Sequence, residues 1–424
     1  MGFSSDGEHF IYVDVVKQYV FVVDRSLHVQ QFKFLAYKSS AGGRNAAFVV
    51  TIGSKQAVLV DGVVGPLFDE IYGATESPGT DPVSSRDLVF DETGDHFAYA
   101  AKREGRACVI KDNQIIGKCY ERIFQGSLQI APDGGRVTYL AGAGTKQFVV
   151  FGEKQESLFD EVGSVFLSPD WSVRVYSGRT GKSWTAVVNN VAHGSYENSM
   201  LEAAFSPDNR RVAFTTTRKG KEICITDGKA GPAYDDIYML RFSPDGAHLV
   251  YLAVANAIES IVVDGKIIFD KHDAFSNILF SPDGRRLAIV ARDGAAESVV
   301  VDQISTDRRY SRVITGSLRF SDDSQTIAYA AEATANKQYA IVGDHIYGPY
   351  PEILKLGSVG YISFLPGTSH AIYSVQNGDG FLVMTDGHPL FKLRCLKSLS
   401  ISDMSLTGCL ANAVTKITLS AGER

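Results

Sequence analysis

The 424-residue chain is predicted to be an all-β array of short antiparallel strands, on three observations. Phe-Ser-Pro-Asp-Gly stands at 242–246 and again at 280–284, and blurred copies recur along the chain. They read FSSDG at 3–7, FDETG at 90–94, IAPDG at 130–134, LSPDW at 167–171, FSPDN at 205–209 and FSDDS at 320–324, with weaker versions beginning at Tyr37, Phe364 and Ile401. From Phe90 onward successive copies lie 37–44 residues apart, and a fixed period of that size means one supersecondary unit copied many times. Glycine is abundant, at 40 residues, as a turn-dense β chain requires. No stretch of ten or more residues carries an amphipathic helical period, so almost no helix is expected.

Residues 205–242 serve as the type unit. FSPDN closes one strand and makes a turn: Pro presets φ, Asp bonds its own backbone, and Gly or Asn tolerates positive φ. RRVAFTTT is a short strand, RKGKE a charged loop, and ICITDG a second strand ending in the Asp-Gly hairpin dipeptide. GPAYDDI carries the third strand and YMLRFSPDG the fourth. Four strands in about 38 residues, with turn chemistry between each, is the blade pattern of a β-propeller. The second half repeats as clearly as the first, in VLVDGVVGPLFDEI (58–71), ICITDGKAGPAYDDI (223–237) and AIVGDHIYGPYPEI (340–353). An aromatic recurs about eight residues after the turn, as Phe68, Tyr120, Phe159, Tyr196, Tyr234, Tyr310 and Tyr350. On outer strands such rings are expected to fill the widening gap between adjacent blades.

The unit resembles the WD40-like repeats of bacterial TolB-type propellers, in which a strand ending in F-S-P-D-G is followed by L-A-Y or similar. The matching pieces are FSPDGAHLVYLA (242–253), FSPDGRRLAIVA (280–291) and FSDDSQTIAYAA (320–331). The resemblance implies a propeller over nearly the full length. The helical N-terminal domain of the TolB kind is not recognisable, and the Gly-His and Trp-Asp dipeptides of true WD40 repeats are absent.

Eleven motif starts, from Phe3 to Ile401, define ten intervals. With LKSLSISD (396–403) supplying the inner strand missing before Phe3, the expectation is one ten-bladed ring over 1–424, with 404–424 left as a surplus edge segment. The alternatives are two smaller propellers, or eight blades plus a two-repeat N-terminal part. They turn on GATESPGTDPVSSR (73–86), which stretches one step to 53 residues and is expected to be a loop insertion on one face, with a linker between domains as the alternative.

Composition is that of a globular protein, 45% hydrophobic and 21% charged. A net charge of −6 argues against a nucleic-acid binder acting through its whole surface, without excluding local patches. No run of 18 apolar residues appears, so no transmembrane segment is expected. MGFSSDGEHF lacks the features of a signal peptide, and five cysteines do not make a disulfide framework. A reducing, cytoplasmic setting is therefore expected, with a periplasmic one open if Met1 is not the native start. Cys224 and Cys409 read as small core residues. Cys108 and Cys119 flank one hairpin and could face each other, but are expected to be unbonded.

Catalytic chemistry is not legible. There is no Gly-x-Ser-x-Gly elbow, and SGRTGKS (177–183) only imitates a phosphate loop, with Tyr176 where its first glycine would stand and a hairpin context. His9, His96, His248 and His370 share one repeat position with Arg211 and Arg286, which reads as solvent-facing rather than metal-binding. The motif acids Asp133, Asp170, Asp245 and Asp283 read as turn formers. No catalytic residue, metal or cofactor is expected. The loops between the second and third strands carry Lys102, Arg103, Arg106, Lys146, Arg179, Lys182, Arg218, Lys219, Lys221, Arg292 and Lys337, so one face is expected to be basic. The functional expectation is a non-enzymatic scaffold that binds another protein, one with an acidic surface, through its loop faces. The alternative is a peptide- or polysaccharide-binding, or enzymatic, propeller with its site at the central channel.

Overall fold

The computed structural model describes residues 2–3, 9–14, 19–24, 26–41, 43, 45–73, 83–84, 87–270, 272–306, 308–335, 337–354, 361–378, 380–393, 395–400, 405–410 and 413–418. The chain divides into two compact units, Met1–Met200 and Leu201–Arg424, each taken by itself below.

In the second unit the repeat appears as consecutive four-stranded sheets. Ala203–Phe205, Val212–Arg218, Lys221–Thr226 and Lys229–Tyr234 pair in chain order, each antiparallel to the next. The sheets at 236–269 and 274–305 repeat that order, and those at 312–350 and 353–393 repeat it with a first strand in two pieces. In the first unit the same order is seen at 88–120, 122–155 and 161–196. A succession of four-stranded antiparallel meanders with no helix among the described residues is the fold of a multi-blade β-propeller.

The Ser-Pro-Asp-Gly turn explains its own composition. Ser206 Oγ donates to Asp208 Oδ1 at 2.6 Å and accepts the Arg211 N–H at 2.9 Å, so the hydroxyl braces the turn from both sides. Ser168, Ser243, Ser281 and Ser321 repeat both bonds with Asp170, Asp245, Asp283 and Asp323. These serines are buried, and the motif aspartates are turn acids, as the sequence indicates. The glycine place needs positive φ, and Asn209 (φ 56°) and Trp171 (φ 59°) meet it where glycine is missing.

Aromatic rings join one sheet to the next. Tyr120 and Tyr234 end fourth strands, Phe68, Phe159 and Tyr310 stand at single bridges beyond them, and each meets, edge to face, a tyrosine on the second strand of the following sheet: Tyr139, Tyr251, Tyr99, Tyr176 and Tyr329 respectively. Centroid separations run from 6.1 to 6.4 Å, and all ten rings are buried. Gly178 leaves room for this packing, because a Cβ there would overlap the Phe159 ring.

Ile71 and Leu88, on either side of the 73–86 insertion, pair with Ala101 and Tyr99 of the same strand. Val83–Ser84 pairs in parallel with Ala36–Tyr37, and residues 74–82 and 85–86 lie outside those described. Other features depart from the sequence reading. Near the N-terminus, Val29–Ser39 runs unbroken from the outer strand of one meander into the inner strand of the next. VQQFKFLAYKS contains no Gly, Pro or Asp to end it. Segments 405–410 and 413–418, expected to be surplus, pair with Cys395–Ser400 in a three-stranded sheet of their own. The motif at Ile401 and most of that at 3–7 lie outside the described residues.

Cys108 and Cys119 are joined by a disulfide, contrary to the expectation of free thiols. The register explains it. Ala107 pairs with Tyr120 and Val109 with Ile116, so Cys108 alone opposes residues 117–119, and this bulge brings the two Cα atoms to 4.3 Å. Cys224 is buried, as expected, and is a free thiol.

Candidate functional site

In each unit the basic residues singled out by the sequence lie on second-to-third-strand hairpins, beside the connections between sheets. The strand pairings put every one of those residues at or beside a hairpin tip, for example Arg103 opposite Arg106 and Arg218 opposite Lys221. Lys146 and Lys337 lie opposite Ala143 and Thr334. SGRTGKS is likewise a hairpin, between Arg174–Thr180 and Ser183–Val188.

Sequence counting missed the acids that meet these cations. They sit on the connections between sheets, one residue after the packed aromatic. Asp69 accepts from Lys55 Nζ with Oδ1 and from the Glu104 N–H with Oδ2, the latter at 2.7 Å. Asp160 holds Lys146 Nζ at 2.6 Å and the Gly181 N–H at 2.8 Å. Asp235 holds Lys221 Nζ and the Asn256 N–H. In each case the lysine belongs to the sheet before the aspartate and the amide to the hairpin of the sheet after it, so one carboxylate staples two sheets. The ammonium, with the backbone donor behind it, holds Asp69, Asp160 and Asp235 below the ordinary carboxylate value.

A second staple lies beside the first. Gln56, Gln147, Glu222, Glu259, Glu297 and Gln338 take one position on third strands. Their side-chain oxygens accept the N–H groups of Ile71, Val162, Ile237, Phe275, Val313 and Ile353, where the next sheet begins, at 2.6–3.0 Å. The equivalent position in the disulfide-bonded sheet is Ala107, which cannot make this bond.

Part of this basic charge is thus neutralised from within. Lys146 and Lys221 are paired as above, Arg179 meets Glu161 at 2.8 Å, Lys102 lies 4.0 Å from Glu70, and Arg106 donates to the Cys119 carbonyl. Arg103, Lys182, Arg218, Lys219, Arg292 and Lys337 are exposed at the tips.

At the opposite ends of the strands, the His/Arg position is only half solvent-facing. His96, His248 and His370 place Nδ1 against Asp112, Asp264 and Asp386, and Arg211 and Arg286 place Nε against Asp227 and Asp302. The same aspartates accept the N–H groups of Phe97, Leu249, Ala371, Val212 and Leu287, all within their own sheets. These residues close the hairpin turn between third and fourth strands, and no metal-ligating cluster of His, Cys, Asp or Glu occurs among the described residues. The side chain of His9 lies outside what the structure describes.

First strands bring two further carboxylates, Asp87 in one unit and Glu202 in the other. Burial raises both above their ordinary values. Each is also bonded to a backbone N–H of the following sheet, Gly126 for Asp87 and Leu240 for Glu202. No helix of the described residues is long and apolar enough to cross a membrane.

No protein-family model matches the chain, and neither does any curated protein. Among solved structures it is similar to dihydro-heme d1 dehydrogenase NirN in complex with DHE, at 13% identity over 71% of this chain and 72% of that one, with a TM-score of 0.33. TolB from Acinetobacter baumannii matches at 17% identity over 51% of this chain and 59% of its own, TM-score 0.27. The Dos1 propeller matches at 11% over 70% and 90%, TM-score 0.29. The fold assignment stands on the strand pairings, and nothing about activity passes from those proteins to this one.

Proposed function

We propose that this propeller is a non-enzymatic scaffold that binds another protein, one bearing an acidic surface, through its second-to-third-strand hairpins. What supports the reading is the division of charge at this end of the sheets of each unit. Its recurrent acids Asp69, Asp160 and Asp235 are each engaged by a lysine and a backbone amide, whereas Arg103, Lys182, Arg292 and Lys337 project exposed from the tips. What the face offers a partner is therefore cationic, on rigid hairpins held at their bases. Such a surface steers association with an acidic partner and leaves affinity to a few well-placed side chains. Lys146, Lys221 and Arg179 act inward, as part of the frame.

The test is affinity capture with quantitative mass spectrometry, comparing wild type with a variant carrying Arg103→Glu, Lys182→Glu, Arg292→Glu and Lys337→Glu. Acidic binding proteins should be recovered by the wild type and lost by the variant, with an unchanged melting temperature. An identical set of captured proteins from both would overturn the proposal.

A further inference from the structure

The slots between consecutive sheets differ in how far they are filled. In the second unit, a cavity of about 370 Å³ lies between the 203–234 and 236–269 sheets. Its lining includes Cys224, Lys229, Ala230, Gly231, Leu249 and Tyr251. The position four residues after the turn aspartate decides how full such a slot is. It is Ile116 after Asp112, packed with Tyr139, and Ile268 after Asp264, packed against the next core and lining a smaller cavity of about 290 Å³. It is Thr306 after Asp302, bonded to the Val299 carbonyl. After Asp61 it is Gly65, but Asn113 of the next sheet occupies the space a Cβ would take. After Asp227 it is Gly231, and here the facing turn residue is also a glycine, Gly265. The space stays empty down to the Tyr251 hydroxyl, which is buried and has no hydrogen-bond partner.

The polar groups around this slot are of two kinds. Every carboxylate is already satisfied: Asp227 by Arg211 Nε and the Val212 N–H, Asp264 by His248 Nδ1 and the Leu249 N–H. The Arg211 guanidinium is spent as well, its Nη1 donating to the Gly246 and Ala247 carbonyls. The groups left over are the Lys229 ammonium, which makes no ion pair among the described residues, and the Tyr251 hydroxyl. The Cys224 thiol is already engaged with Thr226 Oγ1, at 3.7 Å. Both remaining groups can donate, and the wall between them is Ala230, Ala247 and Leu249. A ligand that completes the site supplies acceptors, negative charge and a short apolar body.

We propose that the slot beside Gly231 is a binding site for a small organic monocarboxylate, recognised by Lys229 and Tyr251. The probe is butyrate, followed by saturation-transfer NMR on the full chain, with butylamine and butyramide as charge controls. Butyrate should bind saturably and butylamine should not. Gly231→Ile, which restores the filler found after Asp112 and Asp264, should abolish binding. Lys229→Gln and the near-isosteric Tyr251→Phe, which leaves folding least disturbed, should each weaken it about tenfold. Absence of butyrate binding, equal binding of butylamine, or butyrate affinity unchanged in Tyr251→Phe would each overturn the assignment.

Discussion

The two ends of the strands use aspartate in opposite ways. At the hairpin turns between third and fourth strands, Asp112, Asp227 and Asp264 bond to a His or Arg and to a backbone amide of their own sheet, so each closes one blade on itself. At the connections between sheets, Asp69, Asp160 and Asp235 take a lysine from one sheet and an amide from the next. The first arrangement makes a repeat, and the second makes an array. A repeat protein's stability is the sum of its units plus the interfaces between neighbours, so the second kind of aspartate carries the cooperativity.

Perturbations at the two ends should therefore differ in reach as well as in size. The largest effect is expected from the rings that lie beneath the staples. Phe68→Ala removes a fully buried ring packed on Tyr99 of the next sheet and should cost about 3–5 kcal/mol, read as a lowered urea midpoint. Next comes the disulfide-bonded sheet, which has Ala107 in place of a Gln or Glu staple. Replacing Cys108 and Cys119 with serine opens a short loop and should cost about 2–3 kcal/mol, and a reductant should lower the wild-type melting temperature but not that of the double variant.

A smaller effect with a distinctive pH signature is expected at Asp235. Its carboxyl is held below the ordinary value by Lys221. The stability it contributes is present above the unfolded-state value and is lost as pH falls through the folded-state one. Asp235→Ala should lower the melting temperature near neutrality and flatten its decline in acid. A parallel acid limb in the variant would mean that the staple contributes nothing. Smallest of all, Lys182→Glu at an exposed tip should leave stability within about 0.5 kcal/mol while acting on partner capture.

The sequence carried the repeat, the four strands and the turn because each is local. Ser-Pro-Asp-Gly specifies its own geometry within five residues, and Ser206 with Asp208 shows how. The staples were not legible, although the Phe-Asp-Glu-Ile and Tyr-Asp-Asp-Ile segments that hold them recur in plain view. Asp235 is 14 residues after Lys221 and 21 before Asn256, and nothing in a linear pattern says that a carboxylate faces both ways. The disulfide was missed for a related reason. Two cysteines near one turn bond only in one register, and the bulge after Ala107 sets that register. The His/Arg position was read as solvent-facing because its acid lies 16 residues on, across a hairpin. Gly231 looked like any turn-region glycine, and only the neighbouring sheet shows that it leaves a slot open.

The claim that inter-sheet carboxylates couple neighbouring blades is tested most directly by native-state hydrogen exchange on Asp235→Ala and Asp227→Ala. For Asp235→Ala, the account predicts lost protection at the Asn256 amide, in the next sheet, with the Val212 amide unaffected. For Asp227→Ala it predicts the reverse, with loss confined to Val212 and its own turn. Unchanged protection at Asn256 in Asp235→Ala would contradict it.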